Sequence, residues 1–281
     1  MLPFRRRLRA ARLALACAAA LALLAWPAGP ARAQGGIDGL ARIEVLDGGP
    51  TGRGTHQAAL RLTLAEGWKT YWRHPGEAGI PPSFSWRGSR NLGAVRISWP
   101  TPIVFSSGGL RSIGYKDELV LPLEITPSRP GAPVELRGVM DLGICADICV
   151  PERLRFARRL DPEAPRHPAI AAALAQRPYG AAEAGVRAAR CRISPVEGGM
   201  RVEARITMPP AGGAEMAVIE PADPGLWTMA SKTRRQGDVI VAVTDLASAD
   251  GGAFALDRSR LRITVLGQRH AVEIRGCAAA G

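Results

Sequence analysis

Residues 58–65, AALRLTLA, place Leu60, Leu62 and Leu64 at every second position. Side chains of an extended strand point alternately to its two faces, so this spacing puts the three leucines on one face. The period recurs in VRISW (95–99), ELVLPLEI (118–125), VELRGVM (134–140) and RLRFAR (153–158), the last with Leu154 and Phe156 on one face. It returns in CRISPV (191–196), MRVEARITM (200–208), EMAVIEP (215–221), DVIVAVTDL (238–246), LRITVLG (261–267) and HAVEIRGC (270–277). Gly, Pro, Asn and Asp interrupt these runs at short intervals. Many short strands with turn residues between them bury their apolar faces economically only when two sheets pack face to face. The expectation is an all-β chain of two sandwiches in tandem.

Between the two sets of runs lies DPEAPRHPAIAAALAQRPYGAAEAG (161–185), rich in Pro and Ala. It predicts one short helix, Pro168 to Gln176, and no strand, and reads as a connector between domains. At the other end, Arg5, Arg6, Arg7, Arg9 and Arg12 precede an apolar stretch from Leu13 to Trp26, and Ala31-Arg32-Ala33 follows. Basic, apolar and small-residue segments in that order form a secretory signal peptide, with cleavage expected after Ala33. Cys17 sits inside the apolar stretch and leaves with it. The predicted boundaries are therefore 1–33 (signal peptide), 34–162 (first sandwich), 163–185 (connector) and 186–281 (second sandwich). No later run is long and apolar enough to span a bilayer. The net charge is +12, and six of those charges are arginines within residues 1–33, leaving the exported chain near +6. The remaining basic residues are scattered and aromatics are few, which argues against a nucleic-acid surface.

Four cysteines survive cleavage: Cys145, Cys149, Cys191 and Cys277. In an oxidising compartment an even count favours disulfides. Cys191 opens the first strand of the second half and Cys277 closes the last, so a bridge there is expected to staple that half. On the chain-entropy model, closing a loop of that length contributes roughly 4–5 kcal/mol. Cys145 and Cys149 differ. In one continuous strand, residues four apart lie about 13 Å from each other, beyond disulfide reach. The chain must turn between them, either through a three-residue hairpin loop, Ala146-Asp147-Ile148, or through a single helical turn. A bridge over so short a loop constrains little of the unfolded chain, so it suits opening and closing better than stapling.

Metal chemistry is the first rival. No His, Cys or carboxylate cluster follows at a zinc-like interval, so no metal site is expected. The nearest soft or imidazole groups are Met140, His74 and His167, and copper(I) could take the two thiolates with Met140. C-x-x-x-C-x-P also resembles the motif of copper chaperones of cytochrome oxidase assembly, although those set it at a helix start and strands surround it here. The second rival is an assembly module whose disulfides are permanent.

Four stretches of the first half, GWKTYWRHPGEAGIPPSFSW (67–86), WPTPIVF (99–105), GYKDELVLPLEI (114–125) and CADICVPE (145–152), carry a family resemblance. They resemble the N-terminal periplasmic domain of the thiol:disulfide interchange protein DsbD, and more particularly its ScsB-like relatives with two immunoglobulin-like domains. AVIEPADPGLW (217–227), LDRSRLRITVLG (256–267) and AVEIRGC (271–277) of the second half agree. The resemblance implies two immunoglobulin-like β-sandwich domains in a periplasmic protein without a cofactor. It implies a protein-disulfide reductase type of activity, in which Cys145 and Cys149 exchange electrons with thioredoxin-like oxidoreductases. Envelope pathways such as cytochrome c biogenesis draw on such exchange. Phe105 matches a cap over the cysteines, and Tyr71, Trp72 and Tyr115 match aromatics that line the site. The relatives continue into a transmembrane conduit and a thioredoxin-like domain, whereas this sequence stops at Gly281. The expected electron donor is therefore a separately encoded membrane partner.

Neighbouring residues can be read in two ways. Asp147 disfavours a thiolate beside it, and Arg153 and Arg155 either offset that or form a solvated strand face. Trp68 reads as core, Tyr71 and Trp72 as core or site wall, and His74 as a base or a surface-loop residue. Gly108-Gly109 would let a loop carrying Phe105 open, and Pro81-Pro82 would fix another loop.

Overall fold

The computed structural model describes residues 39–107 and 109–280. The expected signal peptide and cleavage site, and Gly108 of the proposed hinge, lie outside the described residues. Ten strands come first: β1 (Ala41–Pro50), β2 (His56–Leu64), β3 (Lys69–Gly76), β4 (Ser83–Ser85), β5 (Leu92–Ile97), β6 (Ile103–Ser107), β7 (Leu110–Lys116), β8 (Glu118–Pro127), β9 (Glu135–Cys145) and β10 (Cys149–Arg159). They form two sheets, ordered β1-β2-β8-β5 and β10-β9-β3-β7-β6, with β4 also on β9. The leucines of the opening motif turn inward as the period requires. Leu60 and Leu62 are buried with Leu121 and Leu123 of β8, Met140 and Leu142 of β9, and Trp72 of β3.

A helix, α1 (Pro168–Ala175), follows. Pro168 supplies its first turn, and the His167 ring nitrogen Nδ1 accepts the Ala169 N–H at 3.2 Å as a cap. Ile170 packs between Leu46 and Ala59, so the predicted helix is docked on the first sheets rather than suspended. The segment also contains a strand the sequence reading did not expect, β11 (Tyr179–Gly180), which pairs in parallel with a late strand. Two residues without alternation give no periodic signal.

The remaining strands are β12 (Ala188–Val196), β13 (Gly199–Thr207), β14 (Met216–Glu220), β15 (Leu226–Thr228), β16 (Lys232–Gln236), β17 (Val239–Ser248), β18 (Arg262–Leu266), β19 (Ala271–Arg275) and β20 (Ala278–Ala279). They complete two more sheets, β11-β19-β18-β14 and β15-β17-β13-β12-β20, with β16 also on β17. The chain is thus all-β, built as sandwiches of antiparallel sheets. Cys191 of β12 is bonded to Cys277, with Cα atoms 5.7 Å apart, and β20 runs parallel to β12 immediately after it. Val218, Leu266 and Ala271 join the core of the first two sheets, and residues 39–281 cluster as one compact unit. Among the described residues no helix is long and apolar enough to cross a membrane.

Candidate active site

β9 ends at Cys145, β10 begins at Cys149, and the ladder pairs the two directly. The chain reverses through Ala146–Ile148, where the Ala146 N–H donates to the Ile148 carbonyl at 3.0 Å. The hairpin alternative is therefore the one formed. The two Cα atoms stand 4.1 Å apart and the sulfurs are bonded. The bridge is asymmetric: Cys145 is 3% exposed, whereas Cys149 is exposed at the hairpin tip.

The register of β3 decides what surrounds this bridge. Lys69 lies opposite Cys145 and Thr70 opposite Ile144, and on the other side of β3 Thr70 lies opposite Tyr115 and Tyr71 opposite Gly114. Opposed residues share a face, so Lys69, Tyr71 and Cys145 project to one side, and Thr70, Tyr115 and Ile144 to the other. The Tyr71 hydroxyl donates to the Cys145 sulfur at 2.8 Å and lies 3.4 Å from the Cys149 sulfur. Burial raises the Tyr71 pKa, so the phenol remains a donor through the neutral range. Phe105 of β6 sits beside it, ring centroids 6.3 Å apart, and the Lys69 ammonium lies 5.4 Å from the Phe105 ring centroid.

Trp72 and Tyr115, matched by resemblance to site walls, are elsewhere. Both belong to the core on the opposite face. Tyr115 donates its hydroxyl to the Pro100 carbonyl at 2.8 Å and stacks on Trp99. The Arg73 guanidinium stacks on Trp72, 4.0 Å from the ring centroid. The reason is alternation: neighbours on a strand cannot both face the bridge. Trp68, read as core, packs there in part. Met140 is also fully buried in that core, an odd number of residues from Cys145, so it faces away from the two sulfurs and cannot complete a copper site with them. His74 is not on a surface loop. It belongs to β3, its Nδ1 is enclosed with no hydrogen-bond partner among the described residues, and burial lowers its pKa. Arg153 pairs with Asp141 across the ladder, its Nε 2.6 Å from the carboxylate, on an exposed strand face.

Two features were missed from sequence. Lys69 is one, because nothing in GWKTYW separates a site cation from a solvated one. The other is the segment from Gly76 to Pro82. Glu77 N–H donates to the Arg111 carbonyl at 2.8 Å, and the Ser112 hydroxyl donates to the Ala78 carbonyl at 2.7 Å. This holds Gly79, at φ +147°, flat against Tyr71, where a Cβ would overlap the phenol ring. Ile80 rests on Gly143, where a Cβ would come within 2.8 Å of the isoleucine Cβ. The signal was the second glycine of PGEAGIPP.

Residues 49–160 match the family described as thiol:disulfide interchange protein DsbD, N-terminal, so the resemblance read from sequence holds for this segment. The crystal structure of the N-terminal periplasmic domain of ScsB from Proteus mirabilis shares the fold: TM-score 0.61 at 22% identity, covering 86% of this chain and 92% of that one. The reduced N-terminal domain of DsbD from Neisseria meningitidis aligns with a TM-score of 0.23 at 20% identity, over 42% of this chain and 81% of that one. No curated protein matches the sequence.

Proposed function

We propose that the protein is a periplasmic thiol–disulfide exchange protein whose reacting groups are Cys145 and Cys149. The observation that carries this reading is the asymmetry of the bridge within a segment of the DsbD N-terminal family: one sulfur exposed at a hairpin tip, the other buried under a tyrosine hydroxyl. A partner thiolate attacks the Cys149 sulfur in line. The Cys145–Cys149 bond breaks as the new S–S bond forms, and its electron pair leaves on Cys145 as a thiolate. The Tyr71 O–H, already 2.8 Å from that sulfur, hydrogen-bonds the developing charge. A second partner thiolate then attacks the partner's own sulfur in the mixed disulfide. This expels Cys149 as a thiolate, oxidises the partner by two electrons and leaves both cysteines of this protein reduced. The reverse sequence delivers those electrons to an acceptor disulfide.

Phe105 acts as a cap over Tyr71 in this reading. Ile103 and Ile148, 44% and 62% exposed, give the site an apolar rim suited to the apolar surround of a thioredoxin-like partner's disulfide. The redox domain is 34–162, and the second sandwich, 186–281, is a docking or scaffolding domain. Single substitutions test the reading on non-reducing gels of cell envelopes. Cys145→Ser leaves Cys149 to bond a partner with no neighbouring thiol to release it, so it accumulates a reductant-sensitive adduct. Cys149→Ser leaves only a buried thiol and accumulates none. Equal adducts from both, or none from either, overturns the proposal.

A further inference from the structure

A cleft of about 580 Å³ opens where the first sheets, the 161–185 segment and the second sheets meet. Five guanidiniums line it: Arg73 of β3, Arg96 of β5, Arg177 after α1, Arg262 of β18 and Arg275 of β19. Glu273 is the one carboxylate among the described residues of its wall. Three of the arginines share that carboxylate. Arg73 reaches it at 3.2 Å, Arg275 at 3.1 Å and Arg262 at 3.8 Å. Arg73 is satisfied elsewhere, by a two-pronged pair with Glu220 at 2.9 Å and by the Trp72 ring beneath it. Arg177 is held by Glu183 at 2.8 Å, and Arg96 by Glu124 at 3.3 Å.

Arg262 is the member without a close protein partner. Among the described residues its guanidinium donates no hydrogen bond to another side chain or carbonyl, and the Glu273 contact is its only ion pair. Burial, and next the neighbouring Arg73 guanidinium, hold its pKa below the ordinary arginine range. A partly buried guanidinium with its planar donors unused, flanked by like charges, is stabilised by any oxyanion placed against it. Ile97, Trp99 and Pro178 add an apolar part to the lining. The volume is that of an ordinary small-molecule site.

We infer that this cleft binds a small organic polyanion, whose carboxylate or phosphate groups engage Arg262 and Arg275 while its carbon skeleton lies against Trp99. Such a ligand bridges both halves of the chain, and it does so apart from the thiol chemistry at Cys145 and Cys149. The inference does not depend on the exchange reading.

Calorimetric titration of the full exported chain with citrate and with pyrophosphate tests this, with acetate at equal ionic strength as the control. Saturable binding of either probe, at least about tenfold tighter than acetate, is expected from two or more charge-assisted contacts. Binding of citrate alone identifies the groups as carboxylates, and binding of pyrophosphate alone identifies them as phosphates. Arg262→Gln is expected to weaken the better probe by about tenfold or more. Arg275→Gln, at the second arginine assigned to the ligand, weakens it independently should the first variant fold poorly. Arg201→Gln, on β13 and paired with Asp245, leaves it unchanged. Binding no tighter than acetate, or full affinity in both cleft variants, overturns the inference.

Discussion

Replacing Tyr71 by Phe removes one oxygen and keeps the ring that Gly79 and Phe105 pack against. The structure fixes what is lost: a hydroxyl donating at 2.8 Å to the sulfur of a cysteine that is 3% exposed. Water cannot readily take its place at so enclosed a sulfur. A hydrogen bond to a charged acceptor contributes about 1.5–3 kcal/mol, and it acts on the thiolate far more than on the neutral thiol. At 1.36 kcal/mol per unit, the Cys145 thiol of the reduced variant should titrate about one to two pKa units higher. Because a less acidic thiol is a poorer leaving group, attack on Cys149 by a given thiolate should also slow. The pH dependence of iodoacetamide alkylation, measured on the reduced protein with Cys149 replaced by Ser, reads the pKa directly. Stopped-flow reduction of the intact disulfide reads the rate. An unchanged or lowered pKa refutes the assigned role of the hydroxyl, because among the described residues no other donor contacts this sulfur.

Two further outcomes follow from the same geometry. Phe105→Ala should accelerate reduction by glutathione more than reduction by a thioredoxin-like protein, because the ring beside Tyr71 keeps a small thiol from the disulfide whereas a docking protein displaces it; equal acceleration in stopped-flow assays counts against a cap. Asp47 is buried, and although burial pushes its pKa up, the Asp161 and Gly49 N–H groups and the His56 ring together hold it below the usual carboxylate range. A depressed folded-state pKa contributes stability that is present above the unfolded value and lost as pH falls through the folded one. Asp47→Asn should therefore lower stability at neutral pH by about 2 kcal/mol, and the gap to the parent should close as pH falls below about 4 in denaturant titrations.

The sandwich strands were legible where one face is dry and the other wet. β2, β8 and β13 alternate because sheet packing buries every second residue, and their runs were read from sequence. β3 and β7 were not read as strands, and their burial explains why. Tyr71 and Trp72 are adjacent and both buried, as are Ser112, Ile113, Gly114 and Tyr115 of β7. Such strands are covered on both faces, by the core on one and by the redox bridge with its loop on the other, so their period disappears. The cysteine pair was legible because a strand cannot bring residues four apart together without reversing. Its surroundings were not, since Trp72 and Tyr71 differ only in which face alternation assigns them, and that depends on register with β7 and β9.

The register itself has a physical origin at Gly114. Built with a side chain, that position would drive its Cβ into the Thr70 carbonyl, so β3 and β7 approach closely only because residue 114 is glycine. This approach sets Tyr71 opposite Gly114, and the missing side chain leaves the phenol free to lean toward the sulfurs. The regular ladder then breaks between Tyr71 and Gly76. Within that break, Arg73 turns to Glu220 and Glu273 of the second sheets while its guanidinium stays on Trp72. One eight-residue strand thus touches the disulfide through Tyr71, the core through Trp72 and the second half through Arg73. A disturbance at the Arg73 ion pairs has only two residues to cross before it reaches the hydroxyl that holds Cys145. The second sandwich is therefore placed to influence the redox pair through the backbone of β3, without contacting either sulfur.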